Sequence, residues 1–389
     1  MGFVNNQEEG TLPAPDAGGE RLRARYRGEF PVVGQMIYLN HAAVSPLPRR
    51  VADAMKEFAD DACTFGSLHY DRWMDAYESI RKAAAQLIGC TRDEIALTKN
   101  TSEGISMVAN GLDWRPGDRI VGFREEFPSN MYPWKRLEAR RVQVDWLSIA
   151  DPLERVDEAC RGARLLAISF VQYLSGLRAN LKALGEICRR RGCFFFVDAI
   201  QGLGAFPLDV EEAHIDALAA DGHKWLLGPE GCAVLYVRRE WQDRIGPTEF
   251  GWTNAAGYAD YASRDMTLRS DAGRYECGSM NTIGCFGLRA ALQLILEAEP
   301  ARIGPVVQAL GDRLAAAAAA RGYEILGARD QDKGAGIVSL RHAEIDSRVI
   351  VRDLAAKGVL CAPRQGWVRM SPHFYIAPEE LDRVIEMLP

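Results

Sequence analysis

The chain has no apolar run of membrane-spanning length, no Cys-x-x-Cys pair, no Cys/His spacing of the zinc type and no excess of positive charge. Each absence removes a class of function. A spanning helix needs about 20 mainly apolar residues, so no role inside a membrane is expected. Nine cysteines, an odd number scattered along the chain, indicate neither a disulfide framework nor a structural metal, and a reducing cytoplasm is their simplest home. A formal net charge of −6 argues against a surface that grips nucleic acid or an anionic membrane by bulk charge. Residues 1–20 have no positive lead and no apolar core, so no secretory signal is expected there. Their polar, Gly-, Pro- and acid-rich composition predicts a loose arm. Nothing suggests a repeat array, and Gly202-x-Gly204 lacks the third glycine of a dinucleotide-binding turn. Small-molecule chemistry is what these exclusions leave.

With 389 residues the chain has room for two domains. Its most informative stretch runs from Phe194 to Arg239. Phe194 to Val197 is an apolar run of strand length that ends in Asp198, and a turn carrying Gln201, Gly202 and Gly204 follows at once. A second run, Ala217 to Ala220, leads into Asp221-Gly222-His223-Lys224, and a third, Cys232 to Val237, resumes the strand pattern. Lys224 therefore lies between strands, with Asp198 at a strand's carboxyl end. A lysine partly desolvated beside other positive charge has a lowered pKa and a nucleophilic amine that can form an imine with a carbonyl. Pyridoxal phosphate is the carbonyl that would use both residues, because it works as an electron sink only while its pyridine nitrogen stays protonated against a nearby acid. Taken singly, each residue has a bland alternative: a lysine after a strand is usually solvated, and an aspartate often ends a strand at a turn.

Together they resemble the class V aminotransferases, a branch of the fold-type I pyridoxal-phosphate enzymes with isopenicillin N epimerase-like and cysteine desulfurase-like members. These show a strand-Asp-x-x-Gln turn followed by Ser/Gly-His-Lys. The resemblance, which extends from Tyr38 to Ser371, implies that Asp198 pairs with the pyridine nitrogen, Gln201 bonds the phenolic oxygen, Lys224 forms the imine and His223 lies against the phosphate.

Further motifs fall in place around this centre. A strand over Glu94–Thr98 opens into Asn100-Thr101-Ser102-Glu103-Gly104 and an apolar helix, and a helix amino end with hydroxyl side chains is a seat for phosphate. The same residues also read as a capping box, and both roles can hold together. By resemblance Thr101 and Ser102 are the phosphate donors. Phe127, where desulfurases usually carry histidine, is expected to stack on the pyridine ring; it cannot shuttle a proton, and simple core packing is its alternative. Gln172 follows a strand over Leu165–Val171 and is a candidate for the ring substituents or the substrate. Trp252 and Ser279 sit in motifs that resemble those reaching the phosphate of a neighbouring subunit, which implies a homodimer with shared sites. Asn40 and His41 resemble an element over the substrate mouth, a plain turn being the alternative. Finally, Arg369 with Ser371 matches an Arg-x-Ser signature whose arginine clamps the substrate's α-carboxylate in one plane. Arg364 is a second candidate, and a surface ion pair is its alternative.

The fold implied is α/β, of fold-type I: a large domain over residues 46–286 with a mostly parallel seven-stranded sheet, and a smaller α+β domain over residues 287–389. Residues 21–45 are expected to belong to the small domain and the site mouth. The activity expected is that of an enzyme acting at the α-carbon of an amino acid, by transamination or epimerisation. Cysteine desulfuration or another C–S lyase elimination is the alternative, weakened because no cysteine lies between Ala362 and Val368. A non-catalytic scaffold of the same fold is the other; it would need none of Asp198, Lys224 and Arg369.

Overall fold

The computed structural model describes residues 17–327, 329 and 333–389. Most of the arm expected over residues 1–20 lies outside the described residues; from Ala17 to Tyr26 the chain is helical rather than loose. A short strand, β1 (Ile37–Tyr38), precedes the strands of the main sheet: β2 (Ile95–Thr98), β3 (Arg119–Phe123), β4 (Gln143–Leu147), β5 (Leu165–Ser169), β6 (Phe194–Asp198), β7 (Ala217–Asp221) and β8 (Ala233–Val237). Their order is β2-β8-β7-β6-β5-β3-β4. Only β8 runs against its neighbours; every other pairing is parallel. This is the seven-stranded, mostly parallel sheet that the resemblance implies.

β5, β6, β7 and β8 are buried along their whole length. A strand covered on both faces has no solvent side to alternate with, which is why these stretches are legible as continuous apolar runs. β4 is the strand that the sequence pattern does not announce. It lies at the sheet edge, only Leu147 is fully buried, and Gln143-Val-Asp-Trp-Leu mixes polar with apolar residues.

Helices Arg49–Phe65 and Tyr70–Ile88 are separated at Gly66, whose φ of 61° ends the first. The helix Thr282–Ala298 packs against both and runs unbroken through residue 287, where a domain boundary was expected. Among the described residues no helix is long and apolar enough to cross a membrane.

The smaller sheet contains β9 (Glu324–Ile325) and β10 (Val338–Arg341). β11 (Val359–Leu360) pairs instead with β1, and β12 (Ala362–Arg364) and β13 (Trp367–Met370) complete the smaller sheet in the order β12-β13-β10-β9. The β1–β11 pairing and a bridge from Asn40 to Ser371 attach the segment after residue 36 to this C-terminal unit. β12 and β13 are joined by Gln365 and Gly366, with φ of 50° and 84°. Positive φ at both turn residues matches the natural twist of a two-residue hairpin, so the arm carrying Arg364 and Arg369 is short and stiff.

Candidate active site

In an open parallel sheet the strand carboxyl ends share one edge, and ligands bind there. β2, β3, β5, β6 and β7 all point that way, so the residues that follow them are gathered although they are far apart in sequence.

Lys224 sits in a tightly tethered loop after β7. Gly222 N donates to Cys232 O at 2.8 Å, Gly228 N to Gly222 O at 2.8 Å, and Leu227 N to Lys224 O at 3.1 Å. Leu227 holds a φ of 62°, uncommon for a non-glycine residue. A Cβ on Gly204, itself at φ 93°, would stand 2.5 Å from Trp225 O, so the turn after Asp198 can approach the lysine loop only as glycine. Burial lowers the Lys224 ammonium to about pKa 8; the Asp198 charge opposes this and the Arg369 charge adds to it. The amine lies 5.9 Å from the centre of the Phe127 ring.

Asp198 is buried at the end of β6, accepts from Ile200 N at 3.1 Å, and is pushed up to about pKa 6 by burial, against the pull of that N–H and of Lys224. A cationic ring nitrogen beside it would restore its ionised form. Close to it, hydrogen-bonded to the neighbouring strand, is a residue that sequence reasoning missed. Glu126 is buried, accepts from Ser169 N at 2.6 Å and from the Ser169 hydroxyl, and is pushed up to about pKa 7, chiefly by burial and in smaller part by Asp198. Ser169 is the register neighbour of Asp198. The signal was an acid pair just after β3, indistinguishable in sequence from a solvated turn.

Thr101 and Ser102 open the helix Thr101–Gly111, which Asn100 caps by accepting from Glu103 N at 2.9 Å. Thr101 Oγ1 accepts from Asp221 N at 3.0 Å and so joins this helix end to the lysine loop. Among the described residues nothing accepts its hydroxyl proton or the N–H groups of Thr101 and Ser102, which a helix does not satisfy internally. His223 Nδ1 lies 3.0 Å from Asp221 Oδ1, but out of line for a hydrogen bond, and both atoms are buried without one. Together a lysine amine, a buried carboxyl and a helix amino end match the aldehyde, the ring nitrogen and the phosphate of pyridoxal phosphate.

Arg369 approaches from the other side, on β13. Its side chain is 3% exposed, its Nη1 donates to Tyr173 O at 2.8 Å, and its Nε is buried with no partner. Among the described residues no carboxylate pairs with it. Burial lowers its pKa to about 10, and the Arg364 charge adds to that. A buried guanidinium without a counter-ion is costly unless an anion arrives.

Other expected residues are placed differently. His41 is fully buried, its Nδ1 2.8 Å from Ser371 O and its Nε2 2.7 Å from the Tyr375 hydroxyl; both ring nitrogens are used, so it cannot bind substrate and is a core residue instead. Burial lowers its pKa to about 4. Asn40 keeps a buried Oδ1 without a partner beside Ser371. Gln201 accepts from Trp225 Nε1 and donates to Ala42 O, both at 2.9 Å, which leaves one amide N–H for a ligand. The Gln172 oxygen accepts from Leu174 N, Ser175 N and Ser175 Oγ, and its amide donates to Glu125 O; it organises the loop after β5 rather than presenting that oxygen to a ligand. Phe127 is 44% exposed and meets the Tyr173 ring edge-on at 5.2 Å, so it lines the mouth rather than the core. Ser279 lines a separate cavity with Lys99, Glu103 and Glu249 that includes none of Asp198, Lys224 and Arg369. Trp252, 40% exposed, packs on Tyr258 and Tyr261.

A family model described as Aminotransferase class-V matches residues 37–384. A probable cysteine desulfurase of Pyrococcus abyssi is 29% identical, the match covering 95% of this chain and 97% of that protein. An uncharacterized aminotransferase, YcbU, of Bacillus subtilis is also 29% identical, with 94% and 97% covered. The apo structure of a cysteine desulfurase from Thermococcus onnurineus NA1 is similar with a TM-score of 0.86 at 28% identity, covering 93% of this chain and 96% of that one.

Proposed function

Because the chain belongs to the class-V aminotransferase family, we propose that this pyridoxal-phosphate enzyme transaminates an amino acid whose α-carboxylate is held by Arg369 and whose α-proton is moved by Lys224. The observation that carries the reading is the Arg369 guanidinium, buried near the lysine with no paired carboxylate among the described residues. When bound, the cofactor supplies an electron sink that stabilises negative charge left at the α-carbon. Thr101, Ser102 and His223 would hold its phosphate, Asp198 its ring nitrogen, and the spare N–H of Gln201 its phenolic oxygen.

The chain's own groups do the rest. Arg369 fixes the carboxylate in one plane and so selects which bond of the α-carbon faces Lys224 Nζ. With a pKa near 8 the amine is near the operating range of a general base, able to take a proton and return it. Phe127 faces that amine and carries no proton, which favours one base moving a proton on one side of the substrate over two bases acting from opposite sides, as epimerisation commonly requires.

A second reading, cleavage of a β-substituent such as sulfur, is favoured by the desulfurase relatives and begins with the same proton removal. Against desulfuration stands the Gln365–Gly366 turn, which has no cysteine, and the Cys361 thiol, buried and pushed up to about pKa 12 by burial. A scaffold would gain nothing from Arg369 lacking a counter-ion. The assembly fits a homodimer: Trp252 and Ser279 lie in a region where Phe250, Trp252, Tyr261 and Met266 are exposed. Free thiols at all described cysteines suit a cytoplasmic location.

The test is incubation of the holoenzyme with a panel of amino acids in deuterated water. Keto acid formed with the aminated cofactor is the expected result. Sulfide or pyruvate with ammonia would establish elimination instead, and deuterium at the α-carbon with inversion would establish epimerisation.

A further inference from the structure

Resting on the clamp at Arg369, we propose that Arg364 binds a second carboxylate, so that the preferred substrate is an amino acid whose side chain ends in one. The placement follows from strand register. Ala362 is paired with Arg369 and Arg364 with Trp367, so Arg364 and Arg369 project from the same face as diagonal neighbours. Diagonal pairs on adjacent strands stand roughly 7–8 Å apart, a separation that two carboxylates of one small molecule can bridge once the arginine side chains reach toward it.

Arg364 is near enough for its charge to act on both Arg369 and Lys224. Its one described hydrogen bond is a long one, from Nη1 to Pro363 O at 3.4 Å, and among the described residues no carboxylate pairs with it. Arg341, on the same face of the sheet, is the contrast: it pairs with Glu324 at 2.5 Å and lies over the Trp367 ring at 4.4 Å. The smaller sheet pairs that cation and, among the described residues, leaves the two on the hairpin without anions. The backbone under Arg364 is also fixed, because Gln365 Nε2 donates to the Tyr173 hydroxyl at 2.8 Å, and Tyr173 O holds Arg369. The Arg369 guanidinium is thus held by the loop after β5, which also anchors the residue next to the exposed Arg364, and the strand register sets the backbone spacing of the two arginines. A single clamp would orient any amino acid; a pair at set spacing selects among them.

The test needs no turnover. Diacids from succinate to suberate, and butanoate as the one-carboxylate control, are titrated calorimetrically into the holoenzyme. A diacid is expected to bind roughly tenfold tighter than butanoate, the gain of one charge-assisted contact, and the best chain length separates a short acidic side chain from a longer one bearing a distant carboxylate. Arg364→Gln is expected to reduce diacid binding to the butanoate level while butanoate binding stays the same, and Arg364→Lys to keep part of the preference. Arg369→Gln is expected to weaken both ligands. Equal binding of diacid and butanoate by the wild type, or a preference that survives Arg364→Gln, overturns the proposal while leaving the Arg369 clamp standing. Failure of the wild type to bind either ligand overturns both.

Discussion

The two halves of the site treat charge in opposite ways. On the large-sheet side, Glu126 is engaged by Ser169, Asp198 by Ile200 N and Thr101 by Asp221 N, although His223 Nδ1 and Asp221 Oδ1 face each other without a hydrogen bond. Elsewhere in the large unit, buried Arg81 is matched by Glu276 at 2.5 Å. On the small-sheet side, Arg369 is as deeply buried as Arg81 and has no counter-ion among the described residues. Breaking a buried pair typically costs about 3–5 kcal/mol, so a fold that leaves one member out by design forgoes stability that an incoming anion can restore. The large-sheet half is organised to keep a resident group, the hairpin half to wait for a transient one.

The sharpest way to break this contrast is at its centre. Lys224→Ala removes the base and the attachment point together, and turnover is expected to fall by roughly 10⁴-fold, read as keto-acid formation in the holoenzyme. Activity within tenfold of wild type would remove Lys224 from the chemistry.

Arg369→Leu attacks the waiting half. A loss of roughly a hundredfold in kcat/KM is expected, the worth of a buried charge-assisted clamp. A second readout separates this from simple damage. Arg369 helps to hold the Lys224 pKa near 8, so in the cofactor-free variant the pH at which Lys224 becomes reactive toward an amine-modifying reagent should move upward. An unmoved titration would mean the two cations do not feel each other.

The smallest effect belongs to the resident half. Glu126 has a folded pKa near 7, above the ordinary carboxylate value, so the folded state binds its proton more tightly than the unfolded chain does. Its favourable contribution is present at low pH and is lost as pH rises from the unfolded value through about 7. Glu126→Gln should therefore gain on the order of 2 kcal/mol relative to wild type between pH 5 and pH 8, measured as the shift in urea midpoint of the cofactor-free protein. A difference that does not change with pH would show that the carboxyl is not suppressed by burial.

Much of the large sheet was legible because doubly covered strands must be apolar throughout, and Asp198, Gln201 and Lys224 stand at their ends with recognisable spacing. β4 escaped because an edge strand is free to carry polar residues. His41 and Gln172 are each a polar residue beside a turn in a motif-bearing stretch: a neighbour distant in sequence, Tyr375, takes up the His41 ring, whereas Gln172 gives its oxygen to its own loop, at Leu174 and Ser175.

By itself, the sequence determined the strand ends, the lysine between strands and the arginine before Ser371, since these follow from local periodicity and from residue chemistry. Tertiary structure alone decided which charges go unanswered. Whether Arg364 and Arg369 have counter-ions, and whether Glu126 lies close to Asp198, depends on segments brought together across the sheet edge, and no local pattern records an absent partner.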